Sequence, residues 1–163
     1  AQPGHARRSA RHAVANGIVA AAALLLPDQD LARIGAVGAL GAALSDTVSG
    51  ELGLLSDRAP RNLLFGRPCS PGQDGGMTVM GTGFGLTAAI LLGIIMLILP
   101  SMTSAMAAAI MVGAAAGNLA DSLLGATIEA RLPHAIHNEI VNLLATLVGS
   151  LVSIAIHVAG ISS

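Results

Sequence analysis

The sequence predicts an all-α polytopic membrane protein, a bundle of about five transmembrane helices with a polar site on its cytoplasmic side. Three observations carry this prediction. The 163 residues are 53% hydrophobic and only 10% charged, with no Lys, Trp or Tyr, whereas about a quarter of a soluble domain is charged. Twenty glycines occur among abundant Ala and Ser, and small residues let helices approach closely in lipid, where no hydrophobic effect drives them together. Long apolar stretches are broken by short polar segments and by one extended polar island, Ser45 to Thr82. The formal net charge of -1 argues against nucleic acid as a partner, which would require a concentrated basic face. Cys69 stands alone, so an internal disulfide and a zinc site built from several thiolates are both excluded.

The first helix is expected over about 8–26, just long enough to cross a hydrocarbon core of ~30 Å at ~1.5 Å per residue. Arg7, Arg8 and Arg11 before this apolar run resemble a signal peptide, but no polar mature domain follows. Ala1 is read as a processed start with room for further spans before it. Pro27, Asp28, Gln29 and Asp30 make an acidic turn, with Asp30 placed to cap a second helix over about 31–55. Three prolines and three arginines in 56–76 rule out a continuous helix there. A third helix over about 77–99 ends at Pro100, and a fourth over about 101–130 finishes polar. Arg131 and Pro133 break the chain before a fifth helix over about 135–161. The whole chain is read as one integral membrane domain with the lipid bilayer as its surroundings.

Orientation follows from arginine. The amino-terminal segment and the 56–76 loop carry three each and the last turn one, while the first turn is acidic and the Pro100 turn uncharged. The arginine-rich side is therefore predicted to be cytoplasmic. Five alternating spans then gather nearly all the polar residues at that face.

Ionisable groups at membrane depth are costly and read first as functional. Asp46 lies within the apolar second helix, and Glu51 is roughly 140° further round. Asp121, with Ser122 and Thr127, lies on the fourth helix at the same membrane face. Asp46 and Asp121 are candidate ligands for Mg²⁺, a hard cation that takes carboxylate and phosphate oxygens, with Glu51 a further catalytic candidate. The structural alternative is a buried acid paired with a donor on a neighbouring helix. Gly75-Gly76, followed by Thr78 and Thr82, forms a glycine-rich turn leading into a helix amino terminus, a place receptive to phosphate. It is no Walker loop, because the Lys is absent, so phosphate charge falls to Arg61, Arg67 or a metal. The alternative for these arginines is the orientation signal itself. Asn138 and Asn142, one turn apart on the fifth helix, could hold a headgroup or bond other helices. His134 and His137 are expected on the surface at a helix start, and Cys69 as a bystander.

These runs, Ser45-Asp46-Thr47 through Glu51-Leu52-Gly53, Gly75-Gly76 with Gly81-Thr82, Asp121 to Thr127, and Asn138 with Asn142, together with Ala15-Asn16-Gly17, resemble one integral membrane family. It is the family of domain of unknown function 92, or transmembrane protein 19, which includes the phytyl-phosphate kinase of plants and cyanobacteria. The resemblance implies transfer of a phosphoryl group from a nucleoside triphosphate, CTP favoured, to an isoprenyl or phytyl monophosphate, with Mg²⁺ as cofactor. Asp74 and Glu129 depart from the family's usual Ser and Gln and add charge beside the expected phosphate site. Gly50 stands where the family usually has another small residue. Cytidylyl transfer from CTP to a lipid precursor would use the same parts. A small transporter or lipid-binding protein is the reading from another class, but it predicts acids spread through the membrane depth. The glycine-rich faces of the second and fourth helices would allow a homodimer.

Overall fold

Five helices and one short hairpin make up a computed structural model that describes residues 3–71, 73, 75–128 and 137–161. The helices are α1 (Pro3–Ala23), α2 (Gln29–Gly53), α3 (Val79–Met96), α4 (Ser104–Ile128) and α5 (His137–Ile161). Four of them, α2 to α5, are long and apolar enough to cross a membrane. The apolar part of α1 is shorter, Ala13–Ala23, about half of a ~30 Å core at ~1.5 Å per residue.

Side-chain caps set the helix starts. Asp28, rather than Asp30, caps α2: its Oδ1 accepts from Asp30 N and Leu31 N, both at 2.9 Å. Asp30 sits inside the first turn, where a carboxylate complements the helix dipole, and takes Arg33 Nη1 at 3.0 Å. Arg33 thus adds one cation to the face that the arginine tally reads as acidic. α3 starts two residues later than expected because Gly76–Met77 forms β2, which pairs antiparallel with β1 (Arg61–Asn62) in the register Arg61↔Met77 and Asn62↔Gly76. Thr78 then caps α3, with Gly81 N donating to its Oγ1 at 2.9 Å. α4 is similarly delayed to Ser104, and Thr103 Oγ1 accepts from Met106 N at 3.2 Å. Strands of two residues leave no periodic signal, so the 56–76 segment reads as irregular from sequence alone.

α2 is the hub. It packs against each of the other four helices, while α1 packs on α5, α5 on α4, and α4 on α3. The neighbours therefore surround α2 in the order α1, α5, α4, α3, with its remaining side between α1 and α3. There Leu40 and Leu44 are exposed, flanked by Ala36 and Ala39, which pack on Val19, Ala20 and Ala23 of α1, and by Gly41, which meets Leu92 of α3.

The core is built from small residues. A Cβ on Gly149 of α5 would lie 2.6 Å from Ala42 Cβ and 2.8 Å from Gly38 O of α2. A Cβ on Gly117 of α4 would lie 2.9 Å from Ala145 O of α5. Three backbones thus meet at near contact, which is how helices adhere in lipid.

A polar pocket at one end of the bundle

The carboxyl end of α2, the end of α4, the start of α5, α1 near Asn16 and the hairpin segment enclose a cavity of about 630 Å³. Its walls are polar because each element ends polar in sequence: Asp46, Ser49 and Glu51 on α2, Asp121 and Ser122 on α4, Asn138 and Asn142 on α5. The helices alternate in direction, which brings these three termini to one end of the bundle.

At the centre, the Asp46 and Asp121 carboxyl groups lie close to one another across the α2–α4 crossing, both on the cavity wall. Two carboxyls so placed cannot both carry full charge without a proton or a cation between them. Their position is set from below. Asn118 Nδ2, one turn before Asp121 and Ser122, donates to Ser45 Oγ at 3.1 Å, and Ser45 Oγ donates to Gly85 O at 2.8 Å. This buried relay ties α4, α2 and α3 together directly beneath the two acids.

Gly75, Gly76 and Thr78 line the cavity from the hairpin side. Gly75 has φ +72°, a left-handed conformation that costs glycine little, and a Cβ there would lie 2.5 Å from Ala126 N of α4. The turn is therefore seated on α4. Its amides are partly committed: Gly76 N donates to Gln73 O at 3.0 Å, and Gly81 N to Thr78 Oγ1. Those two amides are therefore not free to receive an anion in the cavity.

Among the described residues, the arginine on the cavity wall is Arg58. Arg61 and Arg67, singled out from sequence, lie outside the lining. Arg61 Nη1 donates to Gly66 O at 2.9 Å and so shapes its own turn. Thr82 and Thr127 lie outside it as well, and Thr127 Oγ1 bonds back to Leu123 O and Leu124 O of its own helix, each at 3.0 Å. Asn16, Arg58 and His137 join the wall without having been assigned there. The expectation of a surface His137 is corrected: it is 3% exposed and faces the cavity, because α5 packs on α1, α2 and α4 and its first residue points between them. Asp74, Glu129 and His134 lie outside the described residues.

Fold and site together define a polytopic helical membrane protein with a carboxylate-bearing pocket at one end of its bundle. The chain matches the family described as integral membrane protein DUF92 over residues 1–150 and belongs to that family. It is 37% identical over 89 residues to an uncharacterized membrane protein of Methanocaldococcus jannaschii, an alignment covering 53% of this chain and 37% of the relative. The chain thus spans little more than a third of that relative's length. No solved structure matches it.

Proposed function

We propose that the pocket transfers a phosphoryl group from a nucleoside triphosphate, CTP favoured, to an isoprenyl monophosphate such as phytyl phosphate. The observation that carries this reading is the Asp46–Asp121 contact at the wall of a cavity large enough for phosphate groups.

Mg²⁺ fits the donor set. Among the described residues no three His, Cys, Asp or Glu side chains cluster, so the protein would offer two carboxylates and leave the rest of the shell to phosphate and water, the habit of this cation. When bound, Mg²⁺ neutralises charge on the transferring group. The chain's own residues position the substrates. Arg58 pairs with nucleotide phosphate, the role the sequence suggests for Arg61 or Arg67, and the Gly75–Gly76 backbone closes one wall. Asn138 and Asn142, with Asn16 opposite, orient the acceptor phosphate. Glu51 lies at the mouth, where the exposed side of α2 continues through Thr47 to Leu44 and Leu40. An apolar isoprenyl tail can follow that stripe out between α1 and α3 into the lipid.

Phosphoryl transfer depends on position and charge neutralisation more than on a covalent nucleophile. The residues present suit that demand. The test is turnover by the protein in detergent with Mg²⁺, CTP and phytyl or geranylgeranyl monophosphate, beside Asp46→Asn and Asp121→Asn. Lipid diphosphate that disappears in both variants supports the proposal. CDP-lipid would replace kinase with cytidylyl transfer, and absence of turnover with every nucleotide would remove phosphoryl transfer from consideration.

A further inference from the structure

The segment between α2 and α3 carries an apolar crest that neither the core nor the pocket uses. Leu63, Leu64 and Phe65 are consecutive and are 43%, 43% and 70% exposed. Isolated apolar residues on a surface are ordinary, but three in a row at the tip of an ordered turn form a patch that marks an interaction surface.

The turn is built rather than loose. Asn62 Oδ1 accepts from Leu64 N at 3.0 Å and Phe65 N at 3.2 Å, and Gly66 N donates to Asn62 O at 2.8 Å. Asn62 N donates to Arg67 O at 2.9 Å, and Gly66 adopts φ +62° to close the turn. The Arg61 guanidinium braces it by donating to Gly66 O. The crest is thus held out by the backbone, with no acid between residues 61 and 68. Among the described residues neither Arg61 nor Arg67 is in an ion pair with a carboxylate.

We propose that this turn inserts Leu63, Leu64 and Phe65 into the interfacial layer of the surrounding bilayer, with Arg61 and Arg67 against anionic lipid phosphates. Both ends of the segment are tethered to membrane-spanning helices, Gly53 before it and Val79 after it, so the turn lies near the bilayer surface by connectivity. Apolar side chains beside arginines are the composition that binds an anionic interface. The insertion also bears on the pocket. β1 carries the turn, while its partner β2 and Gly75 line the cavity, and Leu63 N donates to Gly75 O at 3.2 Å. Lipid contact at the crest therefore steadies one wall of the site.

The absence of Trp and Tyr makes the test direct. Phe65→Trp gives a protein with one indole, reconstituted into vesicles of phosphatidylcholine with or without phosphatidylglycerol. Ile90→Trp, on the exposed face of α3, serves as a membrane-embedded reference. Insertion predicts blue-shifted emission for Trp at residue 65, quenching by bromine-labelled lipid chains and protection from aqueous iodide. It also predicts stronger quenching with phosphatidylglycerol, a gain lost when Arg67→Gln is added. Quenching that ignores phosphatidylglycerol would overturn the role of lipid charge. Water-like emission with iodide quenching would overturn insertion. Protection from iodide without bromine quenching would overturn it too, assigning the crest to a protein partner.

Discussion

Asn118 and Ser45, 73 positions apart in sequence, share a buried hydrogen bond of 3.1 Å that locks α4 to α2 directly below Asp46 and Asp121. Ser45 passes the link on to the Gly85 carbonyl of α3. Removing Asn118 breaks this link and opens a small cavity at a buried crossing, while Ser45 keeps its bond to Gly85, so the cost is about 1–3 kcal/mol. Asn118→Ala is expected to lower the melting temperature in detergent and to reduce turnover together, because the two acids lose their fixed spacing. Retention of full activity with a lowered melting temperature would show that the relay only holds the helices.

The Gly149 crossing predicts a different failure. Gly149→Val would drive side-chain atoms into Ala42 and the Gly38 carbonyl, which cannot withdraw without separating α5 from α2. Overpacking of this kind typically costs 1–3 kcal/mol, or roughly that order in a backbone contact. Size-exclusion profiles and thermal unfolding should show loss of the folded peak. Gly160→Val, where a Cβ meets nothing, should behave as the parent.

Gly50 lines the pocket mouth, yet a Cβ there would meet nothing within 4 Å. Gly50→Phe should therefore fold, and its ring should obstruct the passage from the pocket to Leu44 and Leu40. Turnover is expected to fall sharply for phytyl monophosphate and much less for a short isoprenyl monophosphate. Equal losses for both would place the tail elsewhere.

Arg58→Gln is expected to raise the KM for nucleotide by roughly ten- to a hundredfold, the range of one charge-assisted phosphate contact of about 1.5–3 kcal/mol. Arg61→Gln should leave that KM nearly unchanged. The comparison is best made at fixed ionic strength, because salt screens exposed charges.

Much of this architecture is legible in the sequence. Pro27, Pro100 and Pro133 mark where helices cannot continue, and Asp46 and Asp121 advertise themselves by standing in apolar runs. The choice among arginines is not legible, since it depends on a hairpin of two-residue strands that aims Arg58 at the cavity and turns Arg61 back on Gly66. Nor is the burial of His137, which depends on how α5 enters the ring around α2. Asn16 carried a signal, a polar residue in a short apolar helix, but nothing local says which neighbour it faces. Capping at Asp28 rather than Asp30 is a contest between adjacent acids, decided by the extended backbone of the residue after Pro27.

The pocket draws on residues from Asn16 to Asn142, and that spread imposes an order on biosynthesis. Asp46 is made 75 residues ahead of Asp121, so α2 enters the bilayer with its acid facing no partner. The walls that face it in the finished pocket, from α4 and α5, arrive only later. A nascent chain arrested after α3 therefore carries Asp46 on a half-built wall, and the pocket exists only once the last two helices are in place.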